Sequence, residues 1–432
     1  MTHTVVVNDC SAVAVTGGPI SIRTRDTEVG GRNFVLNFSD LAAGLARQLS
    51  ERELDWIETL GNIFAIDLAC VRGRGDVGWP RSITAHLPVR DPEYWNGVAT
   101  RLENIFSDFT FDRLELHFEL DSTPDLAPRQ RRRPFPQHDC VSLLSGGVDS
   151  FVGTLRLVDR GCRPLAVSHT AAGSISHAQS EAETVLRHRY QEFERLGLTA
   201  KRSGTSFPGP EPSQRSRSLL FLGAASLVAA VGGSSTVYIN ENGVMAIHLP
   251  MTAARIGGLS THTASPVILE RVEGLAQEVL SAPVAIHNDL LSFTKPEVVR
   301  FGMDSGVSDA LKKTVSCWSI GRTNRHCGIC APCLMRRISF DLHGTPDVQY
   351  VDDALHDAGV LDNDFACDNL THLIRLVDDL NDLSDLALQL NYPELLNGGK
   401  QLTLSNTIGL HRRWAKEAES VLFNSPVPVI LR

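Results

Sequence analysis

Ser145-Gly146-Gly147-Val148-Asp149-Ser150 sets two adjacent glycines, an acid and two hydroxyls between a short apolar run, Cys140 to Leu144, and a helical pattern. Each residue type suits the capture of an anion. Paired glycines admit left-handed backbone angles and let a phosphate approach the main chain closely. Successive amides then converge at a helix N-terminus, where the helix dipole also favours negative charge. Ser145 and Ser150 add hydroxyl donors, Val148 adds an amide, and Asp149 can fix the loop or help hold a magnesium ion on a bound pyrophosphate. No Lys-Ser or Lys-Thr follows the glycines, which excludes a Walker A loop, and the Gly-x-Gly-x-x-Gly dinucleotide pattern is absent.

A second constellation is made of thiols. Cys317, Cys327, Cys330 and Cys333 fall within 17 residues, while the other five cysteines are scattered singly. Cys-x2-Cys spacing lets two sulfurs from one turn reach the same ion at about 2.3 Å, and four thiolates describe a closed, structural zinc site. An iron–sulfur cluster is the rival reading, because Cys-x2-Cys-x2-Cys also occurs in bacterial ferredoxins. There a fourth cysteine follows after three residues; here that position is Arg337. His326 is a further candidate ligand in place of one cysteine.

The elements that must position these groups are legible in outline. From residue 139 to about 203 apolar runs and helical stretches alternate: strands at Cys140–Leu144, Pro164–Ser168 and Leu198–Arg202, helices at Ser150–Asp159 and Ala178–Leu196. An apolar helix, Arg217–Val231, and a strand, Thr236–Ile239, continue the pattern. Alternation of this kind implies a parallel sheet covered by helices, with ligands beyond the carboxyl ends of its strands. Residues 1–122 mix strand-like runs (Ile83–Val89, Arg113–Leu120) with a helix that Ser50 caps. Gly61 leaves Ile63–Val71 open between helix and buried strand. Residues 123–138, rich in proline and arginine, have linker composition. The part beyond 345 is acidic and leucine-rich, as packed helices are. The expected organisation is therefore an N-terminal α+β domain (1–122), a linker (123–138), a doubly wound α/β domain (139–344) and a helical extension (345–432).

With 42% hydrophobic and 21% charged residues, the chain has the balance of a globular protein. A net charge of −9 argues against coating a nucleic acid, although Arg129–Arg133 could meet phosphate or an acidic partner. No run reaches membrane-spanning length and the first residues lack a secretory pattern, which makes the cytoplasm the expected address.

The glycine loop resembles that of the PP-loop ATP pyrophosphatases, among them GMP synthetase, asparagine synthetase, tRNA-thiolating enzymes and 7-cyano-7-deazaguanine synthase. Three further blocks are similar to the last of these, the QueC family: Arg217-Ser218-x-x-Phe221-Leu222, Thr294-Lys295-x-Glu297-Val-Val, and Cys317-Trp318 followed by Cys327-Gly-x-Cys330-x-x-Cys333-x-x-Arg336-Arg337-x-x-Phe340. The resemblance runs from about 140 to 342. It implies a HUP-like fold, a structural zinc on the four cysteines, and ATP with magnesium split to AMP and pyrophosphate as 7-carboxy-7-deazaguanine is adenylated. It also implies that Ser145, Gly146, Gly147, Asp149, Ser150 and Arg217 meet phosphates and that Lys295 lies near the adenylating centre.

Departures from that family bear on the second substrate. Its Tyr-Gly-Gln-Arg-His segment is replaced by Ser168-His169-Thr170, and its Gly-Tyr-Pro-Asp-Cys segment is missing, with Glu241-Asn242-Gly243 after the fourth strand instead. Glu241 could pair with a guanine-like edge or stand in an ordinary turn; His169 is a second candidate contact. The long extensions, with Trp79-Pro-Arg81, Leu87-Pro-Val-Arg90-Asp91-Pro92 and Trp95, resemble the QueC-like proteins of bacterial antiphage operons (Qat and type IV CBASS). That resemblance implies an acyl acceptor on a partner protein. Ammonia, as in deazapurine biosynthesis, is the alternative; a tRNA-thiolating enzyme and a non-catalytic ATP sensor are further classes.

Overall fold

The computed structural model describes residues 2–8, 10, 18–26, 30–44, 47–73, 80–121, 135–169, 173–204, 207–208, 211, 213–250 and 263–431. Trp79, Thr170 and the arginine run at 129–133 lie outside them.

Two sheets form the body. The first contains β1 (Thr2–Val7), β2 (Ile20–Ile22), β4 (Ser82–Val89) and β5 (Arg113–Leu120), in the order β2-β1-β4-β5 and parallel throughout. The second contains β3 (Phe34–Asn37), β6 (Cys140–Leu143), β7 (Pro164–His169), β8 (Arg195–Arg202), β9 (Thr236–Tyr238) and β10 (Ala285–His287), in the order β10-β9-β6-β7-β8-β3. All its pairings are parallel except β3 with β8. The chain adds β7 and β8 on one side of β6, then crosses to add β9 and β10 on the other. The crevice where the order reverses, between β6 and β9, is where a doubly wound sheet binds its ligand.

Between the strands run α1 (Ser39–Ala43), α2 (Glu51–Ala69), α3 (Pro92–Thr110), α4 (Val148–Asp159), α5 (Ser174–Arg189), α6 (Arg217–Gly232), α7 (Gly243–Ala246) and α8 (Pro266–Leu280). The chain continues through α9 (Lys295–Asp304), α10 (Ser308–Lys313), α11 (Ile320–Thr323) and α12 (Ala331–Leu342). The last helices are α13 (Asp364–Asp382), α14 (Asp385–Asn391), α15 (Leu404–Leu422) and α16 (Pro426–Leu431). Among the described residues none is long and apolar enough to cross a membrane.

Helix α2 settles the ambiguity at Gly61. Ser50 and Glu53 close a reciprocal cap, and the helix then runs unbroken to Ala69, so Ile63–Val71 is not a strand. A mid-helix glycine costs about 1 kcal/mol relative to alanine. Here a Cβ at Gly61 would lie 2.4 Å from a methyl of Leu36 on β3, so the missing side chain is what lets the strand approach. The same device operates at Gly223 of α6, where a Cβ would meet Leu60 at 2.0 Å; its carbonyl accepts the Trp56 indole N–H at 2.9 Å. Helix α2 is thus keyed to both β3 and α6. The helix expected over Ala178–Leu196 is shorter: Tyr190 turns extended after Arg189, and from Arg195 burial alternates at Leu196, Leu198 and Ala200, the period of a strand.

One hydrophobic core joins Val5, Trp56, Phe64, Leu87 and Phe106 of the N-terminal region to Val141, Leu220, Val237 and Leu275. Buried ion pairs reinforce it. Arg81 is fully buried between Asp67 and Asp112, Arg72 pairs with Asp112, and Arg90 and the Trp95 indole converge on Asp55. Arg81, Arg90 and Trp95, from the tryptophan- and proline-bearing blocks of the N-terminal region, are thus all bound to carboxylates of α2 or of the α3–β5 turn. Substituting Gly223→Val should overpack the α2–α6 contact and cost about 1–3 kcal/mol, read as a lower urea midpoint with an unchanged slope.

Candidate active site and metal centre

The sequence places the glycine loop at the crevice for local reasons. β6 is buried along its whole length, ends at Leu143, and delivers Leu144 and Ser145 to the carboxyl edge of the sheet. Gly146 has φ +90°, the left-handed region. A Cβ there would also press on Gln179 and on the Ile175 carbonyl, 3.2 and 3.3 Å away. Gly147 then caps α4, whose first-turn amides have no intrahelical acceptors. Ser150 Oγ donates to the Gly147 carbonyl (3.1 Å) and lies 3.0 Å from Ser145 Oγ, which accepts the Gly147 amide at 3.3 Å. From outside, the Val315 amide donates to the Gly146 carbonyl at 2.9 Å.

Asp149 and Lys295 meet beneath this loop. Lys295 opens α9 directly after the Thr294 cap, which Glu297 completes. Its Nζ donates to Asp149 Oδ2 at 2.7 Å, and both side chains are buried. Asn242 donates to the same oxygen at 3.1 Å. Asp149 Oδ1 is buried and has no hydrogen-bond partner. Glu241, held by reciprocal bonds between its backbone and the Asn288 amide, brings a second carboxyl against Asp149. Burial raises its pKa well above the usual carboxylate range; Asp149 adds to that and Lys295 opposes it. Two adjacent carboxyls with one orphaned oxygen form a donor set that fits a divalent cation, with Asp149 and Glu241 as its holders.

Arg217 and His169 make a second grouping. His169 ends β7, lies 3.1 Å from the Ala200 carbonyl through Nε2, and has its pKa lowered by burial. Its ring packs on Phe221 at 5.3 Å, and the exposed Arg217 guanidinium lies over the same ring at 5.9 Å. Gln179 ties this wall to the loop, donating to the His169 carbonyl (3.1 Å) and the Ser145 carbonyl (3.4 Å). Asp149, Lys295 and Glu241 therefore share one point, while His169 adjoins the loop through Gln179 and Arg217 shares the Phe221 ring with it.

The four cysteines come together. Cys317, Cys327, Cys330 and Cys333 are buried with all their sulfurs within 4.8 Å of one another, Cys327 and Cys333 being 3.9 Å apart. That spacing fits one tetrahedral ion such as zinc, whose bonds of about 2.3 Å set comparable sulfur–sulfur edges; it is too tight to wrap several irons. Amides of Ser319 and Cys327 donate to Cys317 Sγ, and that of Cys330 to Cys327 Sγ, as they would to thiolates. His326 is outside the cluster: its Nε2 accepts the Ser316 amide at 3.1 Å. The knuckle is wired to the loop through Arg336 of α12, fully buried, which binds Asp347, the Thr314 hydroxyl and carbonyl, and the Leu311 carbonyl. Thr314 adjoins Val315, which touches Gly146.

Asn242, Gln179 and Val315 were not singled out by residue type. The Glu241-Asn242-Gly243 turn was visible in the sequence, but only the crossover to β9 reveals that it faces Asp149. The sequence marks helix α15 only as one packed on the body; its contacts make it a support of the site. His411 meets the Ile247 carbonyl at 3.0 Å, Arg413 donates to the Ser292 carbonyl at 2.8 Å, and Glu417 contacts Thr294. The C-terminal extension thus backs the segments that carry Glu241 and Lys295.

A family model described as "Queuosine biosynthesis protein QueC" matches residues 217–344, and one described as "Thiamine biosynthesis protein (ThiI)" matches 135–200. The 7-cyano-7-deazaguanine synthase of Myxococcus xanthus is 26% identical over 231 residues, 48% of this chain and 94% of that protein. That of Aromatoleum aromaticum is 26% identical over 223 residues, 48% of this chain and 95% of its own. The middle of this chain is similar to the 7-cyano-7-deazaguanine synthases. In a Cupriavidus taiwanensis relative of the same name, 39% identity is confined to 62 residues, 14% of this chain and 26% of that one. The similarity spans the site described above and covers about half of the chain.

Two measurements test the site's electrostatics and its thiols. Burial raises the Glu417 pKa to about 7. A raised carboxyl favours the folded state while it is protonated, so its contribution is full below pH 4.5 and is lost as pH rises through 7. Thermal midpoints should fall across that window, and Glu417→Gln should flatten the fall. Elemental analysis should find about one zinc per chain, with Cys330→Ser lowering both zinc content and thermal midpoint; an iron chromophore would contradict the single-ion reading.

Proposed function

We propose that the protein uses ATP to adenylate the carboxylate of 7-carboxy-7-deazaguanine and passes the acyl group to an amine. The observation that supports this most directly is the buried Lys295–Asp149 pair beneath the glycine loop, at the switch point of a domain similar to 7-cyano-7-deazaguanine synthases. In this reading the loop amides and the Ser145 and Ser150 hydroxyls bind the β- and γ-phosphates. A carboxylate oxygen attacks the α-phosphorus, a new P–O bond forms, and the bond to pyrophosphate breaks. Lys295 offsets the negative charge that develops there. Magnesium held by Asp149 and Glu241 would neutralise the departing pyrophosphate. The amine then attacks the acyl carbon, AMP leaves, and the nitrogen loses its proton.

The acceptor we favour is the amine of a partner protein in antiviral defence. This rests on the missing Gly-Tyr-Pro-Asp-Cys segment and on the resemblance of the extensions to QueC-like proteins of antiphage operons. Ammonia satisfies the same chemistry and would return the chain to deazapurine biosynthesis. A thiolating role is disfavoured by placement: Cys140 and Cys162, the thiols nearest the loop in sequence, open β6 and precede β7 at the edge opposite the loop. Strand lengths of four to six residues separate the two edges by roughly 13–20 Å at about 3.3 Å per residue.

AMP and pyrophosphate should appear only when the carboxylate substrate is present, and Asp149→Asn, which keeps an oxygen acceptor for Lys295, should abolish their formation in the chain that remains folded. ADP and phosphate as products would refute adenylation. Incubation with ATP, 7-carboxy-7-deazaguanine and the proteins encoded beside this one should add one amide-linked deazaguanine to a neighbour, read by intact mass. Free 7-cyano-7-deazaguanine formed from ammonia, with no modified protein, would favour the biosynthetic reading.

A further inference from the structure

We infer that Asp67, a residue of the N-terminal region, is a positioning residue for the phosphate site, acting through the first turn of α6. Helix α6 begins with Ser216 as its cap, yet the Ser216 side chain caps none of the helix's own amides. The carboxylate that serves this end is foreign to the helix: Asp67 Oδ2 accepts both the Ser216 amide (3.0 Å) and the Ser216 hydroxyl (2.8 Å). A negative charge at that position complements the helix dipole, and burial keeps the interaction from being screened. The next residue is Arg217.

Asp67 is itself fixed from behind. Its Oδ1 accepts from Arg81 at 2.6 Å, and Arg81 also binds the Asp67 carbonyl and Asp112. The approach to α6 is strapped to the same place, since the Glu211 amide donates to the Leu68 carbonyl at 2.8 Å and the Arg72 amide donates to Glu211 at 3.0 Å. Downstream, Trp56 donates to the Gly223 carbonyl, so α6 is held at two points along one face of α2. Arg217 projects from this clamped turn as an exposed side chain over Phe221, the ring that also carries His169 and, through Gln179, adjoins Ser145. Moving the start of α6 would therefore move Arg217 relative to the loop, although Asp67 touches neither nucleotide nor loop. The N-terminal region in this account is part of the machinery that orders the phosphate site, whatever else it binds.

The inference rests on the nucleotide reading, and it is tested by equilibrium binding of a non-hydrolysable ATP analogue to the full-length chain. Asp67→Asn keeps the shape and leaves Arg81 with Asp112; it should weaken analogue binding about tenfold. Ser216→Ala, which deletes only the hydroxyl bond, should act in the same direction by a smaller factor. Loss of folded protein alone would lower the binding stoichiometry and leave Kd unchanged. The decisive arm is the double substitution: with Arg217→Ala already present, Asp67→Asn should weaken binding no further. Independent, additive losses, or a folded Asp67→Asn chain that binds like wild type, would overturn the positioning role. A wild-type chain that binds no analogue would sink the nucleotide reading together with it.

Discussion

The contact between Lys295 Nζ and Asp149 Oδ2 is the constraint on which the rest of the structure depends. It joins two segments 146 residues apart in a buried place, where neither charge is tolerable alone. Asp149 is delivered by a strand, two glycines and the start of α4. Lys295 is delivered by the crossover through β9 and β10 and by the Thr294 cap. The pair then leaves Asp149 Oδ1 unsatisfied and aimed at a second carboxyl, an arrangement stable only with a shared proton or a cation.

Elements added around the α/β core brace it from outside. α2 clamps the start of α6, Arg336 carries the rigidity of the cysteine cluster to Val315 and the loop, and α15 backs the segments holding Glu241 and Lys295. The two extensions are thus built into the packing of the site. Three separate braces hold the glycine loop and its surroundings rigid, as preorganised electrostatic stabilisation of a ligand there would require.

Much of this was legible in the sequence because its signals were local. The glycine loop, the four cysteines and the strands from Cys140 to Tyr238 all announce themselves through residue type and short spacing. The misreadings came where a distant contact decided the outcome. Gly61 leaves helix and strand both open until Leu36 is seen against it, and the Tyr190–Arg195 break is hidden because a 3.6-residue pattern gives way to alternation without a glycine or proline to mark it. β3 could not be assigned to the second sheet from Phe34–Asn37 alone, since an edge strand's partner is a long-range choice. Glu241 carried no local sign that it would face Asp149.

The central claim is attack of a substrate carboxylate on the α-phosphorus of ATP at this buried pair. The most direct measurement uses substrate labelled with oxygen-18 in its carboxylate and reads the mass of the AMP formed in a full reaction cycle with an amine acceptor. The account predicts AMP carrying one oxygen-18 atom and unlabelled pyrophosphate. Unlabelled AMP, or label recovered in phosphate beside ADP, would contradict it.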